Sequence, residues 1–176
     1  MIDFETKEVL FIDLDSTLIK TISGKTFPED ITDFRIQLPV LNKIAEKLPN
    51  LNSFFIVTNQ SGIGHFVTED DFIAKLKSVD TFCNNYLKKV YKSFLESDYR
   101  YCSAPKSSNS PYRKPNTGML SELLGYYGIA YNKHNLDAMI MIGDASGKPG
   151  DFSDLDKKCA ENFGIDYIDV RDFLEL

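Results

Sequence analysis

Val9-Leu10-Phe11-Ile12 runs directly into Asp13-Leu14-Asp15-Ser16-Thr17-Leu18, so four large apolar residues end on two aspartates one residue apart. Such a run reads as a strand buried on both faces, as in a parallel sheet. Side chains alternate along an extended strand, which turns Asp13 and Asp15 the same way at its carboxyl end. In open α/β sheets ligands bind at that edge. Two carboxylates held so close repel, and the site therefore needs a cation, a shared proton or a basic partner. Mg²⁺ suits the pair, because it prefers hard oxygen ligands. A surface turn bearing two solvated acids would not call for the apolar lead-in.

A length of 176 residues corresponds to one domain, residues 1–176, large enough for a real core. The 43% apolar and 26% charged residues are ordinary for a soluble globular protein. No apolar run approaches the roughly 20 residues needed to span a bilayer, so no membrane contact is expected. Met1-Ile2-Asp3-Phe4-Glu5 lacks the basic and apolar regions of a signal peptide. Cys83, Cys102 and Cys159 are odd in number, widely spaced and without CxxC. They suggest a reducing, cytoplasmic setting and neither a disulfide framework nor a zinc site. The net charge of −6 argues against a broad electrostatic grip on nucleic acid but leaves room for a local contact.

Apolar runs alternate with amphipathic segments, the pattern of a Rossmann-like α/β fold with helices on both faces of a parallel sheet. Strands are expected at Val9–Asp13, Ser53–Thr58, Asp98–Cys102, Ala138–Ile142 and Asp166–Ile168. Helices are expected at Pro39–Leu48, Asn116–Tyr127 and Ser153–Asn162, with the longest from about Glu69 to Phe94. In that helix Phe72, Leu76, Val79, Cys83, Tyr86, Leu87, Val90 and Phe94 form an apolar stripe, and Thr68 with Asp71 resembles a capping box. Residues 20–38 are polar and read as a small flap, of hairpin type, over the end of the first strand. Ser103–Arg113 reads as a loop after the third strand.

Four signals fall where successive strands end. The aspartate pair is the first. Thr58-Asn59-Gln60-Ser61-Gly62-Ile63-Gly64 is the second, a hydroxyl and a glycine-bearing loop able to turn donors toward a phosphate, although a capped turn would look the same. Arg113-Lys114-Pro115-Asn116-Thr117-Gly118-Met119 places a cation ahead of a helix, where it would balance charge beside a phosphate. Ile140-Met141-Ile142-Gly143-Asp144 ends another buried strand on an acid that suits a metal, and Asp151, Asp154 and Asp156 follow.

Together these blocks resemble the haloacid dehalogenase superfamily of phosphotransferases in residue type, order and spacing, over nearly the whole chain. The superfamily's DxDx(T/V) falls on Asp13, Asp15 and Thr17, its Ser/Thr on Thr58, its Lys on Lys114 and its final acid on Asp144. The resemblance implies that Asp13 attacks phosphorus to give an aspartyl-phosphate. Asp15 then protonates the leaving alcohol and later activates water. It also implies that Thr58, Asn59 and Lys114 bind phosphate, and that Mg²⁺ is held by Asp13, Asp15 (through its main-chain oxygen) and Asp144. The chemistry agrees, because a carboxylate attacks an anionic phosphate only once a cation screens the repulsion.

A narrower resemblance is to the 3′-phosphatase domain of polynucleotide kinase/phosphatase. It rests on Ser23-Gly24-Lys25-x-Phe27-Pro28 with Asp33-Phe34-Arg35-Ile36, on the Thr58 and Lys114 blocks, and on Gly143-Asp144-Ala145-x-Gly147-Lys148. Its most distinctive part is Asp151-Phe152-Ser153-x-x-Asp156 leading to Asn162-x-Gly164. This implies a stand-alone phosphatase that removes 3′-phosphate from nucleic acid (DNA) ends, with no protein partner implied. No P-loop GxxxxGK(S/T) is present, so the companion kinase is not expected. Ser16 and His65 stand where Gly and Arg are frequent, and the short stretch from Gly147 to Asp151 lacks a lysine run. Asp151 and Asp156 are candidates to support the metal, and Arg35, Lys106, Arg113 and Lys148 to meet substrate phosphates. The alternatives are a sugar or histidinol-type phosphate phosphatase of the same superfamily, a receiver-like switch, or a nonreactive binding module.

Overall fold

The computed structural model describes residues 2–25, 28–92 and 95–176. Phe27 of the flap block and Phe94 of the helical stripe lie outside them. After a 3-10 turn at Phe4–Thr6 come β1 (Val9–Ile12), β2 (Ile19–Lys20), β3 (Arg35–Ile36), α1 (Leu38–Lys47) and β4 (Ser53–Asn59). Then follow α2 (Glu69–Tyr91), β5 (Glu96–Cys102), α3 (Gly118–Tyr126) and α4 (Lys133–Asp137). The chain continues with β6 (Met139–Gly143), α5 (Leu155–Phe163), β7 (Asp166–Asp169) and α6 (Val170–Glu175).

Five strands form a wholly parallel sheet in the order β5-β4-β1-β6-β7. From β1 the chain builds outward through β4 to β5, then returns to the other side of β1 for β6 and β7. The carboxyl end of β1 therefore lies at the switch point, where a crevice opens in doubly wound sheets. The three central strands carry unbroken apolar runs (Val9–Ile12, Phe54–Val57 and Met139–Ile142) because helices cover both faces. Leu10, Ile12, Phe54, Ile56, Ile140 and Ile142 enter one core layer with α1, α2 and α6. Val9, Phe11, Phe55, Val57, Met139 and Met141 enter the other with α3 and α5. Burying one such large side chain contributes about 1.5–3 kcal/mol, so packing alone fixes β1, whatever its aspartates add.

β5 is the polar edge, and Glu96, Ser97, Asp98 and Arg100 on it keep the unpaired side from templating another strand. Its first two residues escape an apolar criterion, so the strand is longer than expected. α3 begins at Gly118 and not at Asn116, because Gly118 N donates to Pro111 O at 2.9 Å and holds residues 113–117 in a turn. α4 and α6 are too short to carry a periodic pattern and were not anticipated; Asn132 and Asp169 cap them, each accepting from a main-chain N–H two or three residues on. At the start of α2, Thr68 Oγ1 accepts from Asp71 N at 3.2 Å and donates to Asp71 Oδ2 at 2.7 Å. The reciprocal bond thus runs through the hydroxyl, not back to the Thr68 main chain. The stripe of α2 buries Phe72, Leu76, Val79, Cys83 and Leu87 as expected, leaves Val90 exposed, and also buries Lys75.

The flap is an antiparallel hairpin in its base, with β2 pairing β3. Asp33 organises the remainder, accepting from Ile22 N, Ser23 N, Ser23 Oγ and Glu29 N at 2.6–2.9 Å. Among the described residues, no helix is long and apolar enough to cross a membrane.

Candidate active site

β1 stops at Ile12, yet Asp13 N still donates to Ile142 O at 3.0 Å, which seats Asp13 between β1 and β6. The chain then turns sharply. Leu18 N and Ile19 N both donate to Leu14 O, and Ser16 sits in the left-handed region at φ 61°. That backbone is easiest for glycine, which explains why a residue with a Cβ is unusual there. Asp15 therefore lies on a turn and not on an extended strand, so alternation does not set its direction. Asp13 is buried and Asp15 exposed, giving the two acids different surroundings.

Lys114 closes the centre. Its Nζ lies 2.5 Å from Asp13 Oδ1, 2.7 Å from Asp156 Oδ1 and 2.9 Å from Val57 O, so each ammonium proton has an acceptor. Asn59 fixes the lysine's main chain from both sides: Lys114 N donates to Asn59 Oδ1, and Asn59 Nδ2 donates to Lys114 O, both at 3.0 Å. The Asn59 amide is thus directed at Lys114. Thr58 is buried at the end of β4, and its Oγ1 accepts from Gln60 Nε2 at 3.0 Å. The same Gln60 nitrogen donates to Asp15 Oδ2 at 2.5 Å. Gln60 was not singled out from the sequence; its place directly after Thr58-Asn59 was the available signal.

Asp156, from the first turn of α5, is buried beside Lys114 and also accepts from Ala145 N at 3.1 Å through Oδ2. Carboxylate oxygens of Asp13, Asp144 and Asp156 all lie within 4.8 Å of one another. Burial holds the Asp13 carboxyl well above the usual range, and Asp156 and Asp144 add to that against the pull of Lys114. Burial, then Asp156, pushes Asp144 up to about 6. Burial opposes the Lys114 charge as well, but the Asp13 and Asp156 carboxylates outweigh it and hold the ammonium above its ordinary value. Three crowded acids face one ammonium, an excess of negative charge that a divalent cation would offset. Among the described residues, Asp144 keeps an oxygen free for it and Asp13 Oδ1 carries a single donor, whereas both Asp156 oxygens have protein donors. The donor set therefore fits a hard divalent ion such as Mg²⁺.

The remaining candidates lie around this centre. Asp151 accepts from Ser146 N, Ser146 Oγ, Lys148 N and Arg171 Nη2, closing the loop after β6; the Ser146 bond first, then Arg171, takes its carboxyl down to about 2. Lys148 Nζ pairs with Asp172 at 2.6 Å, and buried Arg113 donates to Ala104 O at 2.8 Å. Arg35 is exposed on β3, and Lys106 stacks on Phe152 with Nζ 4.1 Å from the ring centroid. None of these four cations joins the Asp13–Lys114 cluster.

Residues 8–173 match the family described as Polynucleotide kinase 3 phosphatase. The chain is 32% identical over 164 residues to a bifunctional polynucleotide phosphatase/kinase of Schizosaccharomyces pombe, covering 93% of this chain and 36% of that protein. It thus spans about a third of that relative. It is also 31% identical over 147 residues to a Thermoplasma volcanium protein described as "Probable D-glycero-D-manno-heptose-1,7-bisphosphate 7-phosphatase", covering 83% of this chain and 91% of that one. Among solved structures, a Mesorhizobium loti protein described as a "putative had-like phosphatase" superposes with a TM-score of 0.63 at 21% identity, over 90% of this chain and 69% of the other. The D,D-heptose 1,7-bisphosphate phosphatase of B. bronchiseptica, solved with magnesium and phosphate, gives 0.60 at 18% identity, over 91% and 78%. The two superpositions share the fold seen here. The chain belongs to the Polynucleotide kinase 3 phosphatase family and is a phosphatase.

Proposed function

We propose that the protein removes the 3′-phosphate from a nucleic-acid end through an aspartyl-phosphate on Asp13, with a divalent cation, Mg²⁺, as cofactor. The family match across residues 8–173 carries this reading. Asp13 Oδ1 is held by Lys114, which leaves Oδ2 to attack phosphorus. Asp15, exposed and steadied by Gln60, stands at the mouth of the site to protonate the departing 3′-oxygen. After the alcohol leaves, the same carboxylate takes a proton from the water that attacks the Asp13 phosphoanhydride, releasing phosphate and restoring Asp13. Thr58 Oγ1 supplies a hydrogen bond to the transferring group, and Lys114 supplies its charge. Asp13, Asp144 and the main-chain carbonyl of Asp15 would hold the cation, which when bound neutralises charge on the phosphoryl oxygens. Asn59 positions Lys114, and Asp156 keeps that lysine charged.

Similarity to a heptose bisphosphate phosphatase over 91% of that protein's length favours a second reading, a sugar phosphate as substrate. The deciding experiment compares a 3′-phosphorylated oligonucleotide with a panel of sugar and amino-alcohol phosphates, with and without chelator. The nucleic-acid reading expects oligonucleotide turnover at least about 100-fold above the metabolites, abolished by chelation and by Asp13→Asn. Equal or faster turnover of a metabolite would overturn it, and phosphate release by Asp13→Asn would overturn the covalent route.

A further inference from the structure

Lys75 occupies a position on α2 that its neighbours Phe72, Leu76 and Val79 would assign to an apolar residue, and it is only 9% exposed. A lysine sealed to this degree ordinarily has a carboxylate against it. Lys75 has none. Among the described residues, no acid oxygen lies within 4.0 Å of its Nζ and no hydrogen bond reaches it. Its contact is the ring of Phe34 in the flap, whose centroid lies 4.9 Å away. Burial pulls the ammonium below its ordinary pKa, and the more distant Asp15 and Asp33 carboxylates offset only part of that.

Neither acid lies within ion-pair distance of it. Asp33 already accepts four hydrogen bonds that shape the flap, and Asp15 accepts from Gln60. Of the other cations of the region, Lys114 is held by three acceptors, Arg113 by Ala104 O and Lys148 by Asp172, whereas Arg35 on β3 is exposed. A largely buried lysine thus meets the flap through the Phe34 ring, while its Nζ, with no carboxylate or hydrogen-bond partner among the described residues, still reaches solvent within the electrostatic range of Asp15. A substrate carrying only the phosphate to be removed would leave that charge unpaired.

We propose that Lys75 forms a second anion subsite, pairing with a second phosphate group of the substrate under the flap. Resting on the nucleic-acid reading above, that group is the internal phosphodiester next to the terminal nucleoside. The same chemistry would take the far phosphate of a sugar bisphosphate, so the test separates the two sources.

The test is a kinetic cycle on the full chain. Wild type and Lys75→Met are assayed on a 3′-phosphorylated dinucleotide with its native linkage and on the same molecule with a neutral methylphosphonate linkage. In wild type the neutral linkage should lower kcat/KM by about 10- to 100-fold, chiefly through KM, as expected for losing a hydrogen bond to a charged group. Lys75→Met should impose a similar loss on the native substrate and make the two linkages equivalent, and Lys75→Arg should restore most of the difference. Equal losses on both substrates, or no cost of the neutral linkage in wild type, would overturn the subsite. Should Lys75→Met fail to fold, the wild-type linkage comparison and Lys75→Arg still decide.

A third arm sets a sugar bisphosphate against its monophosphate. If wild type ignores oligonucleotides but prefers the bisphosphate through Lys75, the nucleic-acid reading falls and the subsite stands. If oligonucleotides turn over without any dependence on the linkage charge, the subsite falls and that reading stands.

Discussion

A methyl group on Gly143 would lie 2.3 Å from Asp156 Oδ2 and 2.7 Å from Asp156 Cβ, so the last residue of β6 must be glycine for the carboxylate to reach Lys114. The requirement is one of space. Gly143 is not among the residues with positive φ, and a Cβ there would have no conformational fault of its own.

Gly143→Ala should therefore push Asp156 out of its bonds with Lys114 Nζ and Ala145 N. Forcing a methyl group into a packed site costs typically 1–3 kcal/mol, and urea unfolding should show a loss in that range. Turnover should fall at least about tenfold, because the lysine loses one of its two carboxylates. Gly125 in α3 is the control: nothing lies within 4 Å of a Cβ built there. Gly125→Ala should keep activity and gain about 0.5–1 kcal/mol.

The acid cluster makes a prediction about metal removal. With Asp13, Asp144 and Asp156 oxygens within 4.8 Å, Mg²⁺ should raise the thermal midpoint of wild type and chelator should reverse the rise. Asp144→Asn removes one of the repelling charges and one ligand together. It should raise the midpoint of the chelated protein, abolish the response to Mg²⁺ and abolish turnover. A full Mg²⁺ response in this variant would remove Asp144 from the ligand set.

Lys114 joins Asp13 and Asp156, so the three should respond as a unit. Lys114→Met leaves two buried carboxylates without their cation, a change that costs about 3–5 kcal/mol. Adding Asp156→Asn to Lys114→Met should recover part of the loss instead of adding to it. Unfolding of the four proteins of this cycle, in chelator, measures the coupling. Simple additivity would mean that the ion pair contributes nothing to the fold.

The sheet was legible because β1, β4 and β6 are apolar on both faces, and apolar runs are visible without any knowledge of partners. The placement of Asp13, Thr58 and Asp144 at strand ends followed from the same pattern, whereas Lys114 reaches them from the loop between β5 and α3. The direction of Asp15 did not follow, because the left-handed Ser16 turns the chain just where the strand rule would have carried it on. Asp156 was indistinguishable from its neighbours in a string of acids; only the approach of α5 to Gly143 buries it. Lys75 was hidden for the opposite reason, since a lysine on a helix reads as solvated until the flap is seen to cover it. α4 and α6 escaped because five or six residues cannot display a helical period.

Asp80 on α2 carries the last prediction, and it lies apart from the catalytic cluster. Its Oδ2 accepts from Ser97 Oγ at 3.3 Å, while its Oδ1 is buried without a hydrogen-bond partner. Burial raises its pKa to about 6, with the Ser97 bond opposing, Asp98 adding to the rise and Lys88 opposing it. The folded protein thus holds this proton more tightly than the unfolded chain does. Below about pH 4 both states are protonated and Asp80 costs nothing. As pH rises from about 4 to 6 the unfolded chain releases the proton first, and stability falls. Above pH 6 the penalty is complete. For a fully sealed group a rise of this size corresponds to ~3 kcal/mol; partial exposure of the side chain screens it to ~1 kcal/mol. Asp80→Asn keeps an acceptor for Ser97 without the charge. It should raise stability at pH 7–8 by about 1 kcal/mol and remove the decline between pH 4 and 6, with turnover unchanged. Denaturant unfolding of both proteins across that range checks it, and parallel stability curves would refute the assignment to Asp80.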